Sequence, residues 1–242
     1  MKIVAIIQAR MGSTRLPGKV LKPILSKPLL AYQIDQLKHS KLIDQLVIAT
    51  TTASRDDAIV DFCKSQGITY YRGSETDVLK RYEETAKTFN ANVVVRLTSD
   101  CPLIDSTVVD SVIGHFLTNR AYDYVSNTIK RTFPRGMDTE VFTYELLKEA
   151  DQNATLKRER EHVTTYMTNP ENKYNMGQYL AEQDYSDLRL TVDTIEDFQL
   201  VERVIKAMRR QNGPFKLTDI IQLLQAHPDW KLINSHIEQK KD

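Results

Sequence analysis

Apolar residues along this chain recur in two alternating rhythms. Ile3-Val4-Ala5-Ile6-Ile7 is short, unbroken and largely β-branched, which predicts a buried strand. Leu29–Leu37 carries apolar positions at helical spacing and predicts a helix packed on that strand. Residues 45–49 predict a second strand. Ser54 and Asp57 then open a helix through Ile59, Val60 and Phe62, with Asp56 and Asp57 near its positive end and Gly67 as its stop. Residues 68–71 predict a third strand, 78–89 a helix and 92–98 a fourth strand. Asp105 caps a helix carrying Val108, Val109, Val112, Ile113, Phe116 and Leu117. Alternating strand and helix predict an α/β fold with a parallel or mostly parallel sheet and helices on both faces. Ligands of such sheets bind outside the carboxyl ends of the strands.

Beyond that helix the rhythm loosens. Residues 122–127, 139–143 and 174–181 are strand candidates that form a β-rich excursion or extend the main sheet. Residues 188–192 predict a returning core strand, followed by helices over 196–210 and 218–226. The polar tail, 235–242, is expected to fray. No repeat, linker or low-complexity tract interrupts the chain, so its 242 residues read as one domain, 1–242.

Composition narrows the function classes. With 41% hydrophobic and 27% charged residues the chain can build a core under a well-solvated surface. A net charge of +1 leaves no nucleic-acid or membrane footprint, so any positive potential is local. The two cysteines, Cys63 and Cys101, form neither a disulfide framework nor a CxxC pair, which suits a reducing compartment. No signal pattern opens the chain, and no segment approaches the ~18 apolar residues of a membrane span. A cytoplasmic protein is expected.

The candidate chemistry begins directly after the first strand, at Gln8-Ala9-Arg10-Met11-Gly12-Ser13-Thr14-Arg15-Leu16-Pro17-Gly18-Lys19. Glycines let a backbone approach an anion, and successive N–H groups can converge on its oxygens. Arg15 suits bidentate phosphate contact, while Lys19 acts as a point charge. The same string also fits a tight βα turn with solvated cations. It is neither a Walker loop nor a dinucleotide fingerprint. Asp100 follows the fourth strand and Asp193 ends the predicted strand at 188–192, so both fall at the ligand-bearing edge. Two carboxylates there can hold Mg²⁺ beside substrate phosphates. Helix capping is the alternative for each of them.

The 12-residue string resembles the N-terminal signature of the sugar cytidylyltransferases, the family of the CMP-acylneuraminate and CMP-Kdo synthetases. It is most similar to the SpsF-like, spore coat polysaccharide branch. Asp100-Cys101-Pro102-Leu103-Ile104 resembles the family's Asp-x-Pro-Leu-Ile motif, and Val192-Asp193-Thr194-Ile195-Glu196-Asp197 its Val-Asp-Thr-x-Glu-Asp motif, with Ile195 where proline is common. The resemblance implies a three-layer α/β/α, Rossmann-like (GT-A-like) nucleotidyltransferase fold. It also implies a homodimer, with a dimerisation or substrate excursion within 122–185. The implied reaction is CTP plus a sugar acid giving a CMP-sugar and pyrophosphate.

On that resemblance Arg15, Lys19 and Asp100 are catalytic, and Asp100 and Asp193 hold Mg²⁺. Ala9, Arg10, Met11, Gly12, Ser13, Arg15, Lys19, Arg72, Ser74 and Thr98 bind the nucleotide. Two further matches to this branch, Phe133-Pro134-Arg135-Gly136-Met137-Asp138-Thr139-Glu140-Val141 and Arg160-Glu161-His162-Val163-Thr164, supply acceptor-recognition candidates: Arg135, Asp138, Glu140, Arg160 and His162. The segment 158–161 also fits a solvated helix face, and His162 a hydrogen-bonded core position. Arg81 is read as structural, one half of an exposed i,i+4 pair with Asp77. Two other functions stay open: a glycosyltransferase using a nucleotide-sugar donor, and a non-catalytic nucleotide-binding assembly subunit.

Overall fold

The computed structural model describes residues 1–119, 121–209 and 213–239. The end of the helix expected to reach Arg210, and the last part of the expected frayed tail, lie outside the described residues. The first half contains β1 (Ile3–Gln8), the hairpin strands β2 (Pro23–Ile24) and β3 (Lys27–Pro28), α1 (Leu29–Leu37), β4 (Gln45–Thr51) and α2 (Asp57–Ser65). These are followed by β5 (Tyr70–Gly73), α3 (Val78–Thr88), β6 (Val93–Thr98) and α4 (Ser106–Thr118). The second half adds β7 (Tyr124–Ser126), β8 (Glu140–Thr143), α5 (Tyr144–Asn153), α6 (Lys157–Glu161), β9 (Met176–Gln178), α7 (Ile195–Met208) and α8 (Leu217–Ala226).

Seven strands form one sheet in the order β5-β4-β1-β6-β8-β7-β9. Only β8 runs against the rest, pairing antiparallel with β6 on one side and β7 on the other. The late strands therefore extend the main sheet. Alternation along β1 decides which face each side chain meets. Ile3, Ala5 and Ile7 pack under α1, α2 and α4, whereas Val4 and Ile6 pack under α3 and α5. The result is three layers, α/β/α, with β1 at the buried centre.

A third apolar cluster lies beside the sheet. There Phe198, Val201 and Ile205 of α7 and Ile220 and Leu224 of α8 enclose Leu188, Leu190 and Val192. In that extended segment the expected strand does not form. The segment makes only an isolated bridge between Arg135 and Arg189. Its backbone groups are satisfied by loops instead: Arg135 N donates to Leu188 O (3.0 Å), Leu190 N to Arg135 O (2.7 Å) and Val192 N to Asp100 O (2.8 Å). Gly136 permits this close approach. Its φ is 104°, and a Cβ there would lie 2.7 Å from the Leu190 carbonyl carbon. Val192 is thereby stitched to Asp100, which brings the two acidic motifs together.

Candidate active site

The loop after β1 is folded by its own backbone. Ala9 N donates to Ala49 O at the end of β4 (3.1 Å), and Met11 O accepts from both Ser13 N (2.9 Å) and Gly18 N (3.1 Å). Met11 N donates to Oδ1 of the fully buried Asp56 (2.7 Å), which anchors the loop to the start of α2. Gly18 has φ 69°, a left-handed conformation that turns the chain and sends Lys19 across the sheet edge.

Lys19 Nζ there donates to three oxygens: Asp100 Oδ2 (3.1 Å), Asp193 Oδ1 (2.9 Å) and Val192 O (2.7 Å). Thr98 Oγ1 donates to Asp100 Oδ1 (2.6 Å), fixing that carboxylate at the end of β6. The other oxygen of Asp193, Oδ2, meets Arg15 (3.1 Å) and Arg189 (2.8 Å). Arg189 in turn holds the fully buried Asp197, which also accepts from the backbone N of Asp193 and Thr194 and from Asn234. Asp193 thus stands on a braced helix start. Burial alone would depress the Lys19 pKa, but Asp100 and Asp193 outweigh it and hold the ammonium above its ordinary value. Burial likewise disfavours ionised Asp100, yet Lys19 and Thr98 hold its pKa low.

These groups line a cleft of about 280 Å³. The loop contributes Ala9, Arg10, Gly12, Ser13, Arg15 and Lys19; Thr98, Asp100, His162 and Asp193 complete the expected residues found there. A second hollow of about 280 Å³ shares Thr98 and His162 with the first and contains Asp138, Glu140 and three threonines, 128, 164 and 165. Its charges are already matched. Arg131 makes two hydrogen bonds to Asp138 (2.6 and 2.9 Å). Glu140 pairs with Arg96 and accepts from Tyr124 (2.6 Å) and Thr164 (2.8 Å). Those partners hold the Glu140 pKa low despite its burial.

Other expected residues stand apart. Arg72 is held by Thr51 O (2.9 Å), Ala53 O (3.2 Å) and Asp57 (2.7 Å) and does not line the cleft. Ser74 accepts from Asp77 N (3.0 Å) in the turn before α3. The Met11 side chain packs against the core, so its backbone is the part that shapes the loop. Arg135 lines a separate hollow with Arg189 and Asn234. Arg160 joins α6 to Asp77 (2.7 Å) and Asp151 (2.5 Å) and lines neither cleft. Segment 158–161 is only partly a solvated face: Arg158 and Glu161 are exposed, but Glu159 is buried and accepts from the backbone N of Thr155 and Leu156.

Arg81 is not half of an exposed pair with Asp77, though its side chain still ties structure together by donating to Ser74 O. It is 2% exposed and lines the cleft, while Asp77 is taken by Arg160. Its apolar i−3 neighbour Val78 lines the cleft too, as do Gln8, Thr14, Ser99 and Glu161. The signal available for Arg81 was its place on the apolar face of a helix, beside Tyr82. An exposed pair with Asp77 would have needed the opposite face.

The comparisons with known proteins agree with this geometry. The family model described as Cytidylyltransferase matches residues 4–238. The chain is 36% identical over 238 residues to the spore coat polysaccharide biosynthesis protein SpsF of Bacillus subtilis, covering 94% of this chain and 95% of that protein. A solved cytidylyltransferase from Leptospira borgpetersenii matches with TM-score 0.90 and 38% identity over the full length of both chains. The structure of CMP:2-keto-3-deoxy-manno-octonic acid synthetase complexed with CTP shares the fold, with TM-score 0.66 and 16% identity, covering 86% of this chain and 99% of that one. A nucleotide-sized cleft at the carboxyl edge of a mostly parallel sheet and a match across nearly the whole sequence lead to one conclusion: this chain belongs to the cytidylyltransferase family and is a nucleotidyltransferase.

Proposed function

We propose that the protein transfers a cytidylyl group from CTP to a hydroxyl of a sugar acid, with Mg²⁺, releasing pyrophosphate and making a CMP-sugar for a cell-surface polysaccharide. The observation that carries this reading is the single Lys19 ammonium shared by Asp100 and Asp193 at 3.1 and 2.9 Å. Two carboxylates that both reach one cation are placed to hold a divalent ion. Mg²⁺ commonly takes one or two carboxylates and completes its shell with waters and substrate phosphates, which the pair Asp100 and Asp193 would allow. When bound, that ion supplies Lewis-acid charge at the α-phosphate.

The chain's own groups do the rest. Thr98 keeps Asp100 turned toward the cleft, and the Arg189–Asp197 brace does the same for Asp193. Arg15 and Lys19 neutralise the departing phosphates as the acceptor oxygen attacks the α-phosphorus in line. Such transfers need positioning and charge more than covalent help. The second hollow, opening beside Thr98 and His162, receives the acceptor with its threonine hydroxyls. A homodimer is part of the reading, tested by sedimentation.

Pyrophosphate release from CTP, measured with Mg²⁺ and a panel of sugar acids, tests the proposal. The expected result is release with at least one of them, abolished by Asp100→Asn. Transfer from a nucleotide-sugar donor without pyrophosphate would overturn it in favour of a glycosyltransferase.

A further inference from the structure

Gln8 closes β1 and lines the nucleotide cleft, yet its side chain takes no part in the loop's backbone bonds or the carboxylate centre. Its amide oxygen, Oε1, accepts from Arg96 Nη2 (3.4 Å). A guanidinium only donates, so this contact decides which way the amide is turned. The end left over is Nε2, with its two N–H groups. It makes no hydrogen bond among the described residues, and it is not sealed from the cleft as Arg96 Nε is from solvent.

The partner that turns the amide is itself held firmly. Arg96 and Glu140 face each other across β6 and β8, and their charges pair. Glu140 also accepts from Tyr124 (2.6 Å) and Thr164 (2.8 Å), and the Arg96 guanidinium lies over the Tyr82 ring, 6.0 Å from its centre. Arg96 and Glu140 line the second hollow, while Thr98, the register partner of Gln8 on β6, lines both. An amide bonded to Arg96 therefore stands where the two hollows meet. On the acceptor side several donors are already committed. Arg131 gives two to Asp138, Thr98 one to Asp100, Thr164 one to Glu140 and Thr165 one to His162 O (3.2 Å). Those threonine oxygens can still accept from sugar hydroxyls, whereas an oxygen that needs a donor finds one at Gln8 Nε2.

We propose that Gln8 is a specificity-determining residue for the acceptor, its Nε2 donating to an acceptor oxygen beside the attacking hydroxyl while the buried Arg96–Glu140 pair keeps the amide in that orientation. Such a donor favours acceptors that carry an oxygen at that position. It disfavours those that put nothing or another donor there, because the amide is then left unpaired in a partly closed site. The inference rests on the cytidylyl-transfer reading, which places a hydroxylated acceptor in the second hollow.

The test combines steady-state pyrophosphate release, with CTP, Mg²⁺ and the best acceptor of the sugar-acid panel, and calorimetric titration of CTP without acceptor. Wild type, Gln8→Met and Gln8→Glu are compared. Gln8→Met removes the donor without adding charge; Gln8→Glu still accepts from Arg96 but offers the acceptor an oxygen in place of N–H groups. Thermal melts show which variants fold. In Gln8→Met the acceptor KM should rise about 10-fold, the effect of one lost hydrogen bond, while CTP affinity stays within about twofold of wild type. Gln8→Glu should raise the acceptor KM at least as far, and it carries the test alone if Gln8→Met does not fold. Unchanged acceptor KM in a folded variant overturns the inference, whatever happens to kcat. So does a loss of CTP affinity in Gln8→Met as large as the rise in KM, which would make Gln8 a nucleotide ligand. A wild type that releases pyrophosphate with no acceptor of the panel overturns the function and this inference with it, a result distinct from any seen in the variants alone.

Discussion

Lys19→Met removes one charge from between two carboxylates at almost constant volume. At the observed 3.1 and 2.9 Å each contact is worth roughly 5 kcal/mol gross at an effective dielectric of about 20. Most of this is offset by burying the ammonium, whose side chain is only 11% exposed. Breaking a buried pair typically leaves a net cost of about 3–5 kcal/mol. Asp193 keeps Arg15 and Arg189, so only Asp100 is stranded and the lower figure applies. For a chain of this size about 3 kcal/mol lowers the melting temperature by roughly 6–12 °C.

Calorimetry at neutral pH with a chelator, then with Mg²⁺, is the assay. Mg²⁺ should restore part of the loss in Lys19→Met and raise wild type less, because the variant leaves the carboxylates without an internal cation. The pH dependence has a fixed sign. Lys19 has a raised folded pKa, so its contribution is full below about 10.4 and is lost only as pH rises through the folded value. Asp100 has a lowered one, so its contribution holds above about 3.9 and is lost as pH falls through the folded value. The gap between variant and wild type should therefore be level near neutrality and close in acid. Melting within about 2 °C of wild type, with equal Mg²⁺ effects on both, would refute the shared-cation argument.

Other consequences follow from single contacts. Arg189→Met should lower pyrophosphate release about 10- to 100-fold at saturating acceptor, since it frees the carboxylate that Asp197 braces; unchanged turnover would remove Arg189 as a positioning residue. Gly136→Ala should cost about 2–4 kcal/mol in chemical denaturation, through a positive φ and a clash with Leu190, while Gly213→Ala, which meets nothing within 4 Å, should cost less. Arg160→Met should destabilise the fold by about 1–3 kcal/mol yet leave the acceptor KM within about twofold; a tenfold rise in KM would restore Arg160 as an acceptor contact. Glu140→Gln should flatten the acid limb of the stability curve, because a folded pKa held low makes wild type lose stability as pH falls below about 4.3.

The sheet was legible because β1, β4 and β6 are buried on both faces and so read as unbroken apolar runs. One cap was legible too, Asp105, which accepts from Thr107 N at 2.7 Å; at α7 the capping side chain is Thr194, accepting from Asp197 N at 3.3 Å, and not Asp193. Residues 188–192 misled because alternation reports which side chains face a core, not whether a neighbouring strand exists. Leu188, Leu190 and Val192 face α7 and α8, and the backbone bonds that distinguish strand from strap run to two loops, at Arg135 and at Asp100. Within the site, Arg15, Lys19 and Asp100 were readable from their places after β1 and β6, whereas Asp193 was placed by a strand that does not form. Arg72, Arg81 and Arg160 were not: which arginine wins a given carboxylate is set by contacts between elements, Arg72 with Asp57 of α2 and Arg160 with Asp77 and Asp151, that no local spacing encodes. Arg160 occupies Asp77, and Arg81 lines the cleft.

Lys19 touches residues 81 and 174 positions further along the chain. During synthesis, then, the first strand and its loop emerge long before the carboxylate they will bind. A nascent chain that has already built β1, β4 and β6 still lacks Asp193 and its Arg189–Asp197 brace, and Asn234 reaches Asp197 only after the last helices have followed. Contacts of such separation close late in folding. A product truncated ahead of residue 193 can therefore have the sheet but not the contact that Lys19 makes with Asp100 and Asp193 together.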